Sequence, residues 1–299
     1  MRTVKHLIAL LRPHQWLKNL FVFMPLFFSG QITDHNRLWA VSVMFLAFCL
    51  ASSGVYCFND VFDVASDRQH PQKCKRPIAS GALSKTAGYA MMVLCWLLAT
   101  GCLVAGGLLA EERGLKLVGL LAAYVVLNVL YCVWLKQICI VDVFIIATGF
   151  VLRIVAGGLA AHVELSHWLV LMTFLLALFL AFAKRRDDVA IFEASGTAAR
   201  KSINHYNLAF INQTISILAS ITMVCYIMYT VSPEVMERLH SSRVYVTSVF
   251  VLAGIIRYMQ VTIVDVHSGS PTKVLLHDRF LQACIVGWLM AFGWIIYAS

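Results

Sequence analysis

Charge is scarce in this sequence. Only 13% of its 299 residues are Asp, Glu, Lys or Arg, against 60% hydrophobic residues. That balance excludes an ordinary soluble domain, which needs far more polar sequence. Short alternating apolar and polar segments are lacking too, which argues against a transmembrane β-barrel. Metal-ligand spacing among the nine cysteines is also missing. Cys49, Cys95, Cys102, Cys132, Cys225 and Cys284 lie inside apolar runs, and Cys57 and Cys74 are too isolated to suggest zinc. They read as small buried hydrophobes. The net charge of +9 is unevenly spread, so a nucleic-acid partner is not expected. The basic N-terminal stretch shows only a weak cleavage signal, so no removable signal peptide is expected either.

What is present is a series of continuous apolar runs, many close to the roughly 20 residues needed to cross a bilayer. They fall at about 20–31, 39–58, 87–110, 115–134, 140–161, 168–183, 206–231, 243–262 and 278–297. The expectation is an all-α polytopic membrane protein with about nine transmembrane helices, forming one transmembrane domain over 1–299. Before the first run, Arg12-Pro13-His14-Gln15-Trp16-Leu17-Lys18-Asn19 has the basic and aromatic mix that favours a membrane interface. Lys and Arg concentrate in the loops 59–86, 135–139, 184–205 and 263–277. The positive-inside rule therefore places these loops, with the N-terminus, in the cytoplasm.

The first of these loops opens with Asn59-Asp60-Val61-Phe62-Asp63-Val64-Ala65-Ser66-Asp67, directly where an apolar run ends. Asp60, Asp63 and Asp67 are spaced i, i+3, i+7, which puts three carboxylates on one helical face. A solvated loop would tolerate them, but like charges so near lipid repel and are costly to hold. A magnesium ion carrying a diphosphate would remove the conflict, because hard cations take carboxylate and phosphate oxygens together. Asn59 could add a neutral oxygen. Lys73, Lys75 and Arg76 follow, and Arg76-Pro77-Ile78-Ala79-Ser80-Gly81 reads as a rigid turn back to the membrane. These cations satisfy the positive-inside rule and could also bind phosphate, Arg76 in bidentate fashion.

Asn-Asp-x-x-Asp-x-x-x-Asp followed by Arg-Pro-Ile-Ala-Ser-Gly resembles the UbiA superfamily of intramembrane prenyltransferases, and the resemblance extends over nearly the whole chain. Three further stretches look like its decaprenyl-phosphate phosphoribosyltransferase branch. One is the segment from Arg12 to Lys18 and Asn19. Another runs from Tyr131 to Lys136, then Asp142, then Gly149 to Gly157 around Arg153. The third is Lys184-Arg185 after the sixth run. The resemblance implies helices around a central cavity and Mg2+ held by Asn59, Asp60, Asp63 and Asp67. It also implies catalytic roles for Asp60, Asp63, Asp67, Lys184 and Arg185. Substrate-binding roles are implied for Asn59, Arg12, Lys18, Asn19, Lys75, Arg76, Tyr131, Lys136, Asp142, Arg153, Arg186 and Asp188. The implied reaction moves 5-phosphoribose from 5-phosphoribosyl 1-diphosphate to a polyprenyl phosphate at the cytoplasmic face of a bacterial inner membrane. Its product would be a lipid-linked pentose for envelope glycans.

The departures bear on substrate. Superfamily members with aromatic substrates carry a second Asp-x-x-x-Asp after the sixth run. Here Asp187 is followed four positions on by Ile191, and Asp188 by Phe192, so that motif is absent. The phosphoribosyl branch tends to show Lys-Arg-x-x-Glu, and Asp188 stands at the Glu position, with Glu193 as a possible substitute. A basic second cluster suits phosphorylated substrates better than an uncharged aromatic acceptor. Prenyl transfer to an aromatic or quinone precursor is the rival enzyme reading, and a transporter with an acidic gate is a rival of another class. Arg153 lies mid-way along the fifth run, where an arginine is costly unless it meets a cavity or partner. Asp142 is three turns earlier on about the same face, so the two suggest an interior polar stripe. A buried ion pair with another helix is the alternative.

Overall fold

A computed structural model describes residues 2–69, 72–110, 112–195, 201–239, 241–265 and 271–297, and no strand occurs among them. The α-helices in chain order are α1 (Arg2–Leu11), α2 (Met24–Phe28), α3 (His35–Phe62), α4 (Val64–Gln69), α5 (Lys85–Ala105), α6 (Gly114–Val133) and α7 (Val141–Ala161). They continue with α8 (His167–Ser195), α9 (Leu208–Val231), α10 (Pro233–Arg238), α11 (Ser248–Ile263), α12 (Pro271–His277) and α13 (Arg279–Tyr297). Among the described residues, eight helices are long and apolar enough to cross a membrane, so the chain is an integral membrane protein. The expected count of nine is not reproduced. The run at 20–31 falls instead on a 3-10 helix, Pro13–Phe23, and the five-residue α2, each with a proline in its first turn. Proline removes a backbone donor and blocks continuation of a helix through it, so this segment is divided.

Two compact units are present: Met1–Leu135 with Leu152–Leu165, and Lys136–Val151 with Ser166–Ser299. In the first, Asp34 caps α3, its side chain accepting from the backbone of Asn36 and Arg37, and Ser84 caps α5 by accepting from Ala87. Small residues let these elements approach closely, the usual basis of helix packing in lipid. A Cβ on Gly88 of α5 would lie 2.4 Å from Val61 Cγ2 on α3. A Cβ on Gly157 of α7 would lie 1.9 Å from the Val22 carbonyl oxygen, so only glycine admits the 3-10 segment there. Trp16 Nε1 also donates to Ser53 Oγ at 3.0 Å, tying that segment to α3. Leu10, Cys57, Val61, Val64, Ile78 and Leu83 form a cluster behind the acidic motif. It packs α1, the end of α3, α4 and the turn before α5 against one another, which sets the backbone positions of Arg12, Asp60 and Arg76.

The second unit has its own core, with Phe179, Phe182, Ile211, Ile215 and Tyr258 among its buried residues. Its α8 runs on to Ser195, so Lys184, Arg185, Arg186, Asp187 and Asp188 sit on a helix, not in the loop expected from hydropathy. Residues 196–200 of that expected loop lie outside the described residues.

Candidate active site

The acidic motif straddles a helix break. α3 ends at Phe62, Asp63 adopts a non-helical backbone (φ −87°, ψ 7°), and α4 begins at Val64. The expected single face over i, i+3, i+7 therefore does not exist as one continuous helix. Asp63 N nevertheless donates to the Asn59 carbonyl and Asp67 N to the Asp63 carbonyl, so the chain keeps its helical sense across the break. Asp60 and Asp67 end up buried, Asp63 and Asn59 half-buried.

Two arginines reach the buried pair. Arg76 Nη1 stands 2.6 Å from Asp67 Oδ2 and 3.3 Å from Asp60 Oδ1, so one nitrogen bridges both carboxylates. Arg12 also donates to Asp60 Oδ1, and its guanidinium lies 4.9 Å from the centre of the Tyr56 ring. Neither arginine comes from a regular helix. Arg12 has a left-handed backbone (φ 51°) between α1 and the 3-10 segment. Arg76 is extended (ψ 147°), as the residue before a proline is constrained to be. The turn predicted after it is present: Ser80 N donates to the Arg76 carbonyl, Leu83 N to that of Pro77, and Gly81 takes φ +79°. Lys75 is exposed.

Among the described residues, no group of three or more His, Cys, Asp or Glu is gathered closely enough to hold a metal, so the set Asn59, Asp60, Asp63 and Asp67 is not a ready-made cage. Two carboxylates do converge, however, and Asp60 Oδ2 is buried with no hydrogen-bond partner. Magnesium commonly takes one or two carboxylates and completes its shell with water and substrate phosphates. The residues present fit that mode.

A second polar centre in the same unit surrounds Arg153, which is buried. Its Nε donates to Asn19 Oδ1 at 2.7 Å and an Nη to the Tyr124 hydroxyl at 2.9 Å, with the guanidinium also 4.7 Å from the Tyr124 ring centre. Asn19 in turn donates to Ser52 Oγ and Cys49 Sγ on α3. Lys18 is half-buried beside them. Burial, then the charges of Arg153 and Arg12, push its ammonium pKa down to about 8, with Tyr131 pulling the other way. Arg12, Lys18 and Arg153 thus form a crowded cationic neighbourhood.

The second unit holds a different arrangement. Arg185, fully buried, donates from Nε to Asp142 Oδ2 at 2.6 Å and from Nη1 to Asp188 Oδ2 at 2.5 Å. The Tyr206 hydroxyl donates to Asp142 Oδ1 at 3.4 Å and accepts from the Ile140 backbone at 2.8 Å. Ile140 has φ +68°, an unusual conformation for a β-branched residue, and that hydrogen bond holds it there. Arg186 donates to Asn212 Oδ1 and to the carbonyls of Thr262 and Ile263, closing the C-terminus of α11. Its guanidinium serves the fold. Ser202 Oγ donates to the carbonyl of buried Lys136. Lys184 is half-buried and Glu193 exposed, so of the two acids left open it is Asp188 that meets Arg185. Along α7, Asp142 takes an arginine of α8, and Arg153 donates to Asn19 and Tyr124.

A model of the UbiA prenyltransferase family matches residues 20–263. The chain belongs to this family. A UbiA homolog from Archaeoglobus fulgidus, solved bound to GPP and Mg2+, superposes with a TM-score of 0.70 at 18% identity, covering 98% of this chain and 100% of that one, which shows the shared fold. Two curated relatives are named decaprenyl-phosphate phosphoribosyltransferase. The one from Mycolicibacterium smegmatis is 34% identical, covering 99% of this chain and 94% of its own length. That from Corynebacterium glutamicum is 30% identical, covering 97% and 86%. In this UbiA family member, Tyr124 and Tyr206 also join these centres through their hydroxyls. Both tyrosines lie in apolar stretches, and only their hydroxyl partners, 29 and 66 positions away, mark them out.

Proposed function

We propose that this protein transfers 5-phosphoribose from 5-phosphoribosyl 1-diphosphate to a polyprenyl phosphate of the decaprenyl type, in magnesium-dependent fashion. The observation that carries the substrate choice is similarity across 97–99% of the chain to relatives bearing that name. The acidic motif supports the chemistry. Asp60 and Asp67, with Asn59 and Asp63 at the same helix break, would hold the metal against the leaving diphosphate. When bound, magnesium neutralises charge building on the diphosphate as it departs from C1. The C1–diphosphate bond breaks and a bond forms from C1 to an oxygen of the lipid phosphate, so the chain supplies no covalent nucleophile. Arg12 and Arg76 stand beside the carboxylates to meet diphosphate oxygens, with Lys75 next to Arg76 in sequence. Lys18, Arg153 and Asn19, with Tyr131 nearby, offer a phosphate-binding neighbourhood. In the second unit, Lys184, Arg185 and Lys136 add positive charge, Asp142 and Asp188 orient Arg185, and Arg186 contributes through the fold alone.

The whole chain is read as one transferase domain in a bacterial inner membrane, with the acidic motif on the cytoplasmic side where Lys and Arg concentrate. Its product is a lipid-linked pentose precursor for envelope glycans. The test is incorporation of label into lipid by membranes containing the protein, supplied with labelled 5-phosphoribosyl 1-diphosphate or a labelled prenyl diphosphate. Label is expected in the polyprenyl phosphate fraction only from the first donor, with magnesium, and lost in Asp67→Asn. Label entering only from the prenyl donor sinks this reading.

A further inference from the structure

Asp60 and Asp67 are neutralised twice over in principle: by the metal that the proposed chemistry requires, and by the two arginines that the structure shows on them. Each guanidinium on these oxygens screens the charge that a metal would seek and crowds its approach. Arg76 Nη1 lies between Asp60 Oδ1 and Asp67 Oδ2, the carboxylates that would hold the metal. We propose that Arg76 and Arg12 are exchangeable counter-ions, which hold Asp60 and Asp67 before loading and pass to the diphosphate oxygens when metal and diphosphate arrive together. This rests on the magnesium-diphosphate reading of the motif and adds an order to it: metal and donor bind as a coupled pair, each weakly without the other.

Four features carry the inference. First, the hydrogen bonding is lopsided. Asp60 Oδ1 takes both guanidiniums, whereas Oδ2 of the same buried carboxylate has no partner. A buried carboxylate oxygen left bare is costly, so the arginines alone do not complete this site. Second, charge balances only for joint arrival. Two carboxylates face two guanidiniums, so a divalent ion entering alone leaves a buried cluster with excess positive charge. A magnesium diphosphate carries net negative charge and meets the two released guanidiniums. Third, the arginines can move without unwinding a helix. Their side chains are 18% and 24% exposed, against 1% for Asp60, and neither backbone is α-helical. Fourth, among the described residues no three His, Cys, Asp or Glu side chains gather closely enough to hold a metal, so substrate phosphate would have to help complete its shell.

The experiment uses the full chain in lipid nanodiscs, titrated with Mn2+ while the unbound ion is counted by electron paramagnetic resonance, with and without methylenediphosphonate. The wild-type protein is expected to bind Mn2+ about tenfold tighter or more when the diphosphonate is present. Arg76→Gln is expected to bind Mn2+ alone about tenfold tighter than wild type, with the coupling to diphosphonate largely lost. Arg12→Gln, which frees only Asp60, shifts both quantities the same way by less. Arg76→Lys, which keeps the charge without the planar fork, falls between wild type and Arg76→Gln. Thermal midpoints show which variants fold, and Arg12→Gln and Arg76→Lys decide the matter if Arg76→Gln does not. If the folded arginine variants bind Mn2+ alone no tighter than wild type while Asp67→Asn abolishes binding, the exchange is overturned and the metal site stands. Mn2+ binding that survives unchanged in both Asp60→Asn and Asp67→Asn overturns the metal reading itself.

Discussion

Both units of this protein bury an aspartate against an arginine, and the two pairs are built differently. In the second, Asp142 and Arg185 are 0% and 1% exposed and rise from the long helices α7 and α8. Each has a further partner, Tyr206 for Asp142 and Asp188 for Arg185. In the first, Asp60 and Asp67 sit at a break between helices, their arginines come from non-helical segments, and one carboxylate oxygen has no partner. The same two side-chain types thus serve as a fixed joint in one place and as an incomplete site in the other. What separates them is whether the surroundings saturate the carboxylate and immobilise the cation. Sequence motifs alone cannot make that distinction, because Asp and Arg are the residues in both.

The largest effect is expected at the carboxylates of the first unit. Asp67→Asn should lower magnesium-dependent transfer by about a hundredfold to a thousandfold while the thermal midpoint changes little, measured by label incorporation and by melting in detergent. A large loss of stability instead would make the first cluster a joint like the second. Arg185→Gln should do the reverse and destabilise the fold by about 3–5 kcal/mol, because it strands a buried carboxylate. The double variant Asp142→Asn/Arg185→Gln should recover most of that loss. Unfolding in denaturant of the two variants side by side provides the measurement.

Lys18 offers a test through pH. Its pKa is lowered to about 8 in the fold from 10.5. Between those values the unfolded chain holds more protons than the folded one, so folding stability should rise with pH across that window. Affinity for a phosphorylated ligand should move oppositely, falling as the ammonium deprotonates above about pH 8. Lys18→Met should flatten both trends, read from melting curves and ligand titration over pH 7–10. The smallest effect is expected at the second unit's clamp, where Tyr206→Phe removes the partner of the Ile140 N–H and should cost about 1 kcal/mol. Amide exchange at Ile140 should rise with it.

Much of the architecture could be read from hydropathy, since a membrane-crossing helix declares itself by length and apolar content whatever it packs against. The run at 20–31 is no single span because Pro25 divides it, a matter of backbone donors that a hydropathy window does not register. The acidic motif was visible because its members are close in sequence. Its break at Asp63 was not, nor was the extension of α8 through Lys184 to Asp188, since charged residues after an apolar run look like a loop.

From its order of residues alone this chain establishes an all-α membrane protein and the acidic motif of its family, both properties of local spacing and composition. Which arginine answers which aspartate was decided only by tertiary structure. Arg12 lies 48 positions from Asp60, and Arg185 lies 43 from Asp142. Pairing at such distances depends on close helix approach, as at Gly88 and Gly157, and on where a proline or a break lets the backbone turn. Those packing constraints gave one Asp–Arg pair full saturation and left the other with a bare carboxylate oxygen.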